Sequence, residues 1–296
     1  MRNLVFFVFL LLITSCNNDK YYKKEIIGNW EEVKKKYKEG DDVKLAHLIS
    51  PMGYINYSFF FNGTFIDRRG FFKTIEGENW SDRKHYYLGS KSKYTVENKI
   101  LKLYDIESKK YNEYQIVDLK NDTLSLTVKG GDTLYLKRKN YNIKCKGNFD
   151  KIIISSSGCY GSCPVSIVLI DKSGDFIFEG RYYTTKIGLY KSKISKNKFQ
   201  EIVQSFQKAD WANLKENYTA SHTDDEQIKL IFIKDNKIIK TISDYGREAP
   251  EELRWAYQPL RYLYQQLKLA EIRQSIDTLD SNTKLIFKLK TEKIFY

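Results

Sequence analysis

Histidine, cysteine and proline are scarce in this chain. Its 296 residues include three histidines, four cysteines and four prolines. Several motifs of common enzymes are also missing, because there is no Gly-x-Gly-x-x-Gly, phosphate-binding loop, His-Glu-x-x-His or Gly-x-Ser-x-Gly. No apolar stretch after residue 16 approaches eighteen residues, so we expect no transmembrane helix. These absences remove the most familiar nucleotide-binding proteins, metallohydrolases and serine hydrolases, and we expect neither a cofactor nor a metal.

Acidic residues are outnumbered, since 37 Asp and Glu stand against 50 Lys and Arg and give a net charge of +13. The lysines are scattered, which predicts a solvated basic surface; attraction to anionic lipid headgroups or acidic glycans is the alternative. No nucleic-acid recognition motif occurs, so we expect no nucleic-acid partner. The 23 tyrosines and 17 phenylalanines, with so few prolines, predict a chain rich in β-strands.

The first sixteen residues have the order of a secretory signal peptide: Arg2, an apolar run over residues 4–13, then small residues before Cys16. Ten apolar residues make about 15 Å of helix, roughly half a hydrocarbon core, so the run is too short to span a bilayer. The ending resembles a bacterial lipobox, in which the cysteine is acylated and becomes the new N-terminus. The alternatives are a short uncleaved helix, or a plain signal peptide followed by a chance cysteine.

The lipobox resemblance implies a location for the whole protein. Residues 1–15 would be removed as a signal peptide, and residues 16–25 would form a tether carrying palmitate-type acyl chains on Cys16. Fatty chains contribute about 0.8 kcal/mol per buried CH₂, so two or three of them hold a protein firmly. We therefore expect a lipoprotein of the cell envelope, anchored in the outer membrane and facing outside the cytoplasm.

Residues 26–139 show the pattern of an antiparallel β domain. Seven or eight short segments alternate apolar and polar residues, and tight turns join them. The clearest turn is Asn62-Gly63, a pair that accepts the positive φ angles of a two-residue hairpin loop. A meander of this kind avoids exposed edges best by closing into a barrel. The polar and aromatic residues 77–88 form either a loop at the barrel mouth or an unplaced strand.

Gly28-Asn29-Trp30 opens this domain as the Gly-x-Trp signature opens a lipocalin, and residues 26–139 resemble the lipocalin-like domains of exported bacterial lipoproteins. In that family the tryptophan plugs the closed end of the barrel under a basic residue, a role that Arg138 matches as a cation–π partner. The alternative is a buried tryptophan in some other meander. The inward-facing residues would line an apolar cavity for one small hydrophobic ligand; they include Phe59, Phe61, Leu101 and Leu103.

After a boundary at residues 140–150, the pattern changes to that of an α+β domain over residues 150–268. We expect helices on one face of an antiparallel sheet. One helix would follow Ser195, and another would start at Pro250 and be kinked or divided by Pro259. Residues 269–296 form a C-terminal extension with one further strand predicted at residues 285–289.

The turn Gly158-Cys159-Tyr160-Gly161-Ser162-Cys163-Pro164 lies between two predicted strands of this domain. Residues 150–268 resemble a bacterial domain family of unknown function that opens with Cys-(Phe or Tyr)-Gly-x-Cys-Pro. Tyr218, Thr223 and Asp224 match later positions of that family, and the resemblance implies a fold but no activity. From the residues alone, we expect a structural disulfide between Cys159 and Cys163. The alternatives are a redox-active pair, a metal site completed by Cys145 and His222, free thiols, or a bond from Cys145 to either cysteine.

The best acid–base candidate is the run from His222 to Glu226, whose ordinary interpretation is a polar turn. His47 and His85 are expected at the surface. We therefore expect a non-catalytic envelope protein that contacts the membrane through its lipid and binds a small hydrophobic ligand. The alternatives are a structural or inhibitory envelope protein that binds another macromolecule, and an enzyme using Cys159 and Cys163 or His222 and Asp224.

Overall fold

The computed structural model describes residues 19–33, 55–78, 82–127, 131, 133–141, 143, 147–273 and 280–292. The predictions for residues 1–15, Cys16, His47 and Cys145 lie outside these residues. The chain divides into two compact units, residues 1–71 with 88–140 and residues 72–87 with 141–296. Within the described ranges, no helix has the length and hydropathy needed to cross a bilayer.

Eight antiparallel strands close into a barrel in chain order, with β8 paired to β1. They are β1 Gly28–Glu32, β2 Asn56–Phe59, β3 Thr64–Ile75, β4 Lys84–Glu97, β5 Ile100–Asp105, β6 Lys110–Lys120, β7 Thr123–Thr127 and β8 Thr133–Arg138. The predicted antiparallel barrel is therefore confirmed. Alternation places apolar side chains inside, as in β5, where Leu101 and Leu103 are buried and Lys102 between them is not. Residues 77–88, which the pattern left unplaced, include the start of β4.

Four residues, 60–63, connect β2 and β3, and the prediction of a two-residue turn at Asn62-Gly63 is wrong. Phe60 N–H donates to Thr64 O at 2.9 Å, and Gly63 takes a φ of +73°. The Asn62 carboxamide oxygen accepts from the N–H and hydroxyl of Thr64 at 3.2 and 2.6 Å, which fixes the longer loop. Phe61 consequently sits in the loop with 87% of its surface exposed, so it does not line the barrel.

An eight-stranded sheet in the order β13-β15-β14-β9-β10-β11-β12-β16 forms the second unit. Its strands are β9 Lys151–Ser156, β10 Val165–Asp171, β11 Asp175–Tyr182, β12 Gly188–Lys193, β13 Asn217–Thr219, β14 Gln227–Lys234, β15 Lys237–Tyr245 and β16 Ala270–Glu271; its helices are α1 Lys196–Lys208, α2 Glu251–Arg261 and α3 Ser281–Thr291. The sheet is mixed rather than antiparallel as predicted, because β13 runs parallel to β15.

The predicted starts of α1 and α2 agree with the structure. The Ser195 hydroxyl accepts from Lys198 N–H at the start of α1, and Pro250 precedes α2. Pro259 does not divide α2, which continues to Arg261 before a 3₁₀ turn at Leu263–Gln266. A proline in the last helical turn removes few hydrogen bonds, so the helix can include it.

The two helices of residues 150–268, α1 and α2, pack on one face of the sheet as predicted. The other face is covered by α3, from the predicted C-terminal extension, so helices cover both faces. Ile152 and Ile154 pack with α1 and α2, whereas Ile153 between them packs with Ile286 and Leu289 of α3. Strands buried on both faces have unbroken apolar runs, which explains the run over residues 152–154.

The strand predicted at residues 285–289 is also wrong, because these residues belong to α3. The Asp280 carboxylate caps this helix by accepting from the N–H groups of Asn282 and Thr283 at 3.0 and 2.9 Å. Leu285, Ile286 and Leu289 then fall on one helical face, against the sheet.

Candidate functional site

The end of the barrel where β1 begins is closed by the residues that precede this strand. Trp30 is fully buried there, and its indole N–H donates to Ile26 O at 2.7 Å. The guanidinium carbon of Arg138 lies 4.4 Å from the centroid of the Trp30 ring. The same guanidinium donates to Ile27 O at 2.6 Å and to Glu25 O at 2.7 Å. Trp30 and Arg138 therefore have the cation–π geometry expected from the sequence.

Gly28 is required by this arrangement. Its φ is +127°, and a Cβ atom at this position would lie 2.7 Å from Nη1 of Arg138. A side chain would both strain the backbone and displace the guanidinium from the Trp30 ring. The three residues Gly28, Trp30 and Arg138 thus form one structural unit at the closed end.

Aromatic rings fill the barrel next to this end. Phe59 lies 4.9 Å from Tyr94 and 5.8 Å from both Phe65 and Tyr57, measured between ring centroids. Aromatic rings at such separations are in contact. Buried aliphatic side chains complete the core; they are Val96, Leu101, Leu103, Ile116, Leu119, Leu124, Leu126 and Leu136. This part of the barrel is occupied by its own side chains.

Beyond the aromatic core, β3 directs a pair of charged side chains into the barrel. Arg69 forms a bidentate contact with Asp67, with Nε to Oδ1 at 3.0 Å and Nη2 to Oδ2 at 2.7 Å. The side chain of Asp67 is 8% exposed and that of Arg69 is 22% exposed. Tyr57 and Tyr114 lie close enough to this pair that its charges act on both phenols. We call these four residues the polar cluster.

The pKa values in the polar cluster follow from burial and charge. Burial raises the pKa of Tyr57 well above its ordinary value, and the Asp67 carboxylate raises it further. Burial disfavours the charged form of Arg69, but the charge and hydrogen bonds of Asp67 outweigh burial and raise the pKa of Arg69. The cluster therefore holds an ion pair and two neutral phenols at neutral pH.

The polar cluster was not predicted from the sequence. Alternate residues of a strand face the same side, so Asp67 and Arg69 face inward with Phe65 on β3. This alternation is the feature of the sequence that could have predicted the cluster. Chemically, the cluster offers a carboxylate, a guanidinium and two hydroxyls next to an apolar wall. These groups can hold the polar end of a ligand, but they include no activated nucleophile.

Four connections of the second unit lie at the same end of its sheet. The directions and pairing of the strands place them there; they are the loops 157–164, 183–187, 220–226 and 246–250. The sulfurs of Cys159 and Cys163 are bonded, with the Cα atoms 5.6 Å apart, as the disulfide interpretation expects. Tyr160 N–H donates to Asp224 O at 2.9 Å, so the fold joins the cysteine turn to the loop that carries His222.

The acid–base candidates in this loop are exposed. His222 Nε2 lies 3.2 Å from Oδ2 of Asp225, and 57% of the His222 side chain is exposed. Asp224 is exposed as well, with a φ of +74°. Burial raises the pKa of Asp225, but hydrogen bonds from Glu226 N–H and from His222 outweigh burial and lower it. Among the residues that the structure describes, no group of three or more His, Cys, Asp and Glu side chains could hold a metal.

A buried ion pair lies beneath these loops. Arg261 donates to both carboxylate oxygens of Glu226, at 3.0 and 2.6 Å, and each residue is at most 4% exposed. Arg247 reaches the same carboxylate at 3.3 Å. Burial raises the pKa of Glu226, but the charge and hydrogen bonds of Arg261 outweigh burial and lower it. This pair joins the start of β14 to the end of α2.

A second buried carboxylate, Asp244, fixes the turn that leads into α2. It accepts from Ala249 N–H and from the Tyr257 hydroxyl, both at 2.9 Å. Burial raises its pKa above the ordinary value of an aspartate. The ion pair of Glu226 was not predicted from the sequence, because Arg261 lies 35 residues further along the chain. The role of Asp244 was not predicted either.

The fold and the sites together define a chain with an eight-stranded barrel followed by a mixed α/β unit. Residues 150–264 match a family described as Domain of unknown function (DUF6438), from just before β9 to the 3₁₀ turn after α2. This match confirms that the second half contains a domain of a family of unknown function. No curated protein and no solved structure matches the chain.

Proposed function

We propose that this protein is a non-catalytic binding lipoprotein of the bacterial cell envelope. In this proposal residues 1–15 direct export, Cys16 carries the acyl chains, and the protein is held at the outer membrane, outside the cytoplasm. The barrel is lipocalin-like and binds one small ligand with a largely apolar body and a polar end. No cofactor or metal takes part.

The observation that carries the proposal is the Asp67–Arg69 pair inside the barrel, next to its aromatic core. A buried ion pair contributes little net stability, because desolvation offsets the attraction of the charges. The Arg69 guanidinium is partly accessible, and Tyr57 and Tyr114 are close enough for its charge to act on both phenols. A small number of placed polar groups next to apolar walls is the usual composition of a ligand site. The filled core at the closed end limits the ligand to the region of the polar cluster.

The ligand proposal can be tested with the full chain carrying Cys16→Ser, which is exported but carries no lipid. The protein is purified without detergent, extracted with organic solvent, and the extract is analysed by mass spectrometry. We expect a bound small molecule that Arg69→Gln releases. The matched control is Arg68→Gln on the outer side of the same strand. An extract without any stoichiometric molecule, or equal retention in both variants, would reject the barrel as a carrier.

The anchor can be tested separately by metabolic labelling with a palmitate analogue. We expect the label on the wild-type protein, its loss in Cys16→Ser, and a mature product that begins at residue 16. A product with residue 1 still attached and no acyl mass would contradict the envelope proposal.

A second candidate function is that of a structural or inhibitory envelope protein. Tyr160 in the cysteine turn is 91% exposed, and Tyr182 at the end of β11 is 67% exposed at the same end of the sheet. Exposed tyrosines favour contact with another macromolecule. Crosslinking in intact cells separates the two functions, because a recurrent protein partner without a bound small molecule favours this one. An enzyme based on Cys159 and Cys163 or on His222 and Asp224 is less favoured, since the sulfurs are bonded and the histidine is exposed.

A further inference from the structure

The Asp67–Arg69 pair in the barrel leaves hydrogen-bond donors unused but no carboxylate oxygen. Oδ1 of Asp67 accepts from the backbone N–H and from the Nε–H of Arg69, both at 3.0 Å, and Oδ2 accepts from Nη2 at 2.7 Å. Both oxygens of the carboxylate are therefore occupied. A guanidinium has five N–H donors, so three of them, two on Nη1 and one on Nη2, remain for another group.

These remaining donors lie next to an apolar wall. Among the residues that the structure describes, none accepts a hydrogen bond from Nη1 of Arg69, and this atom is not one of the fully buried polar atoms without a partner. Phe71, two residues further along β3, is partly buried and packs against Phe65, with 6.2 Å between the ring centroids. Alternation along the strand therefore places the donors and the ring of Phe71 on the same side of β3.

The other charges on the inner side of the barrel disfavour a ligand with an anionic end. Alternation along β1 and β5 places Glu32 and Asp105 on this side, and neither forms an ion pair with a described residue. Burial raises the pKa of Tyr57 and of Tyr114 most, and the charge of Glu32 on the first and of Asp105 on the second adds to this rise. Lys110, opposite Asp105 on β6, is exposed. Since the guanidinium already has its counter-charge, an anionic end would enter a region in which carboxylates outnumber cations.

We propose that the barrel ligand is an uncharged carbonyl compound, whose oxygen accepts from Nη1 of Arg69 and whose apolar body lies against Phe71. This inference rests on the proposed function, because it names the class of ligand for the same site. A carbonyl oxygen accepts hydrogen bonds and brings no proton of its own, so it fits a pair that offers only donors. The pair would leave the proton of an alcohol without an acceptor, because both oxygens of Asp67 are occupied, and an ammonium group has no lone pair with which to accept.

The test uses the full chain with Cys16→Ser and three probes of equal chain length in isothermal titration: nonan-2-one, nonanoate and nonylammonium. We expect nonan-2-one to bind about tenfold or more tightly than either charged probe, because only the ketone accepts hydrogen bonds without adding a charge. Arg69→Gln should weaken nonan-2-one binding by about tenfold, because a hydrogen bond from a charged donor is lost. The matched control is Arg68→Gln, on the outer side of the same strand, which should leave binding unchanged.

An infrared measurement tests the same contact without a variant of the pair. Arg69→Gln leaves the buried Asp67 carboxylate without its counter-charge, which destabilises the barrel, so circular dichroism must show that the variant is folded. With nonan-2-one labelled with carbon-13 at the carbonyl and excess Cys16→Ser protein, we expect the carbonyl stretching band of the bound ketone below its frequency in hexane. The double variant Asp67→Asn with Arg69→Gln removes both charges together and should return the band towards the hexane value.

The results distinguish failure of this inference from failure of the proposed function. The carbonyl class is overturned if nonan-2-one does not bind, if a charged probe binds as tightly, or if the band of the bound ketone lies at its hexane frequency. Equal binding of nonan-2-one by the Arg69→Gln and Arg68→Gln variants overturns it as well. The proposed barrel function fails only by the extraction experiment, when the extract contains no stoichiometric molecule or Arg69→Gln retains it.

Discussion

Removing one charge from the buried pair of the second unit should strongly destabilise this unit. Glu226→Gln keeps the shape of the side chain but leaves the Arg261 guanidinium buried without a counter-charge. Both partners are at most 4% exposed, so water cannot replace the lost carboxylate. Breaking a buried pair from one side costs about 3–5 kcal/mol, and we expect a loss of this size in the free energy of unfolding at pH 7.

The loss should depend on pH in one direction. The folded-state pKa of Glu226 lies below its ordinary value, because Arg261 outweighs the effect of burial. A depressed pKa stabilises the folded state above the unfolded-state pKa of about 4.3, and this stabilisation disappears as the pH falls through the folded-state value. The difference between wild type and Glu226→Gln should therefore be full at pH 7 and shrink progressively below about pH 4.3.

Urea unfolding followed at 222 nm measures this difference, since α1, α2 and α3 all belong to the second unit. Glu248→Gln is the matched control, because Glu248 is exposed near the same end of the sheet and should change stability by less than about 0.5 kcal/mol. The double variant Glu226→Leu with Arg261→Met should be less destabilised than Glu226→Gln alone. A loss below about 1 kcal/mol at pH 7, or an equal loss at pH 3.5, would refute the reasoning.

Three further predictions concern individual contacts. Phe59→Ala should destabilise the barrel by about 3–5 kcal/mol, whereas Phe61→Ala should have almost no effect. Equal losses in thermal unfolding would contradict the position of Phe61 in the exposed loop between β2 and β3. Arg138→Ala should lower the free energy of unfolding by about 2–3 kcal/mol, because it removes hydrogen bonds and the contact with the Trp30 ring. Lys137→Ala, at an exposed position, should change it little. The same blue-shifted tryptophan emission in both variants would contradict this prediction. Cys159→Ser should lower the free energy of unfolding by about 2 kcal/mol, and an unchanged urea midpoint would show that the disulfide does not stabilise the fold.

The barrel was predictable from sequence because its strands are half-buried. A strand with one face inside and one face outside alternates with a period of two, and the Leu101 and Leu103 pair in β5 shows this directly. The contact between Trp30 and Arg138 was accessible only through resemblance, since 108 residues of chain separate the pair and no local pattern links them. Phe61 was misplaced because its neighbours are aromatic and the loop length depends on the hydrogen bonds of Asn62.

The central strands of the second unit behaved differently. Ile153 lies between two other isoleucines in the chain, and such an apolar run does not reveal whether one or both faces of the strand are covered. Coverage of the second face depends on α3, whose segment 285–289 suits a strand and a helix equally by composition. Only the cap at Asp280 and the packing of Ile286 and Leu289 against the sheet decide for the helix.

The sequence by itself determined the strand-rich character, the barrel, the starts of α1 and α2, and the presence of both bonded cysteines in one short turn. These properties depend on residues that lie close together in the chain, where periodicity and turn chemistry act directly. Tertiary structure alone decided the polar cluster, the Glu226–Arg261 pair, and the hydrogen bond that joins the cysteine turn to the His222 loop. In each of these the partners come from distant segments, and only the pairing of strands and the burial of charge bring them within bonding distance.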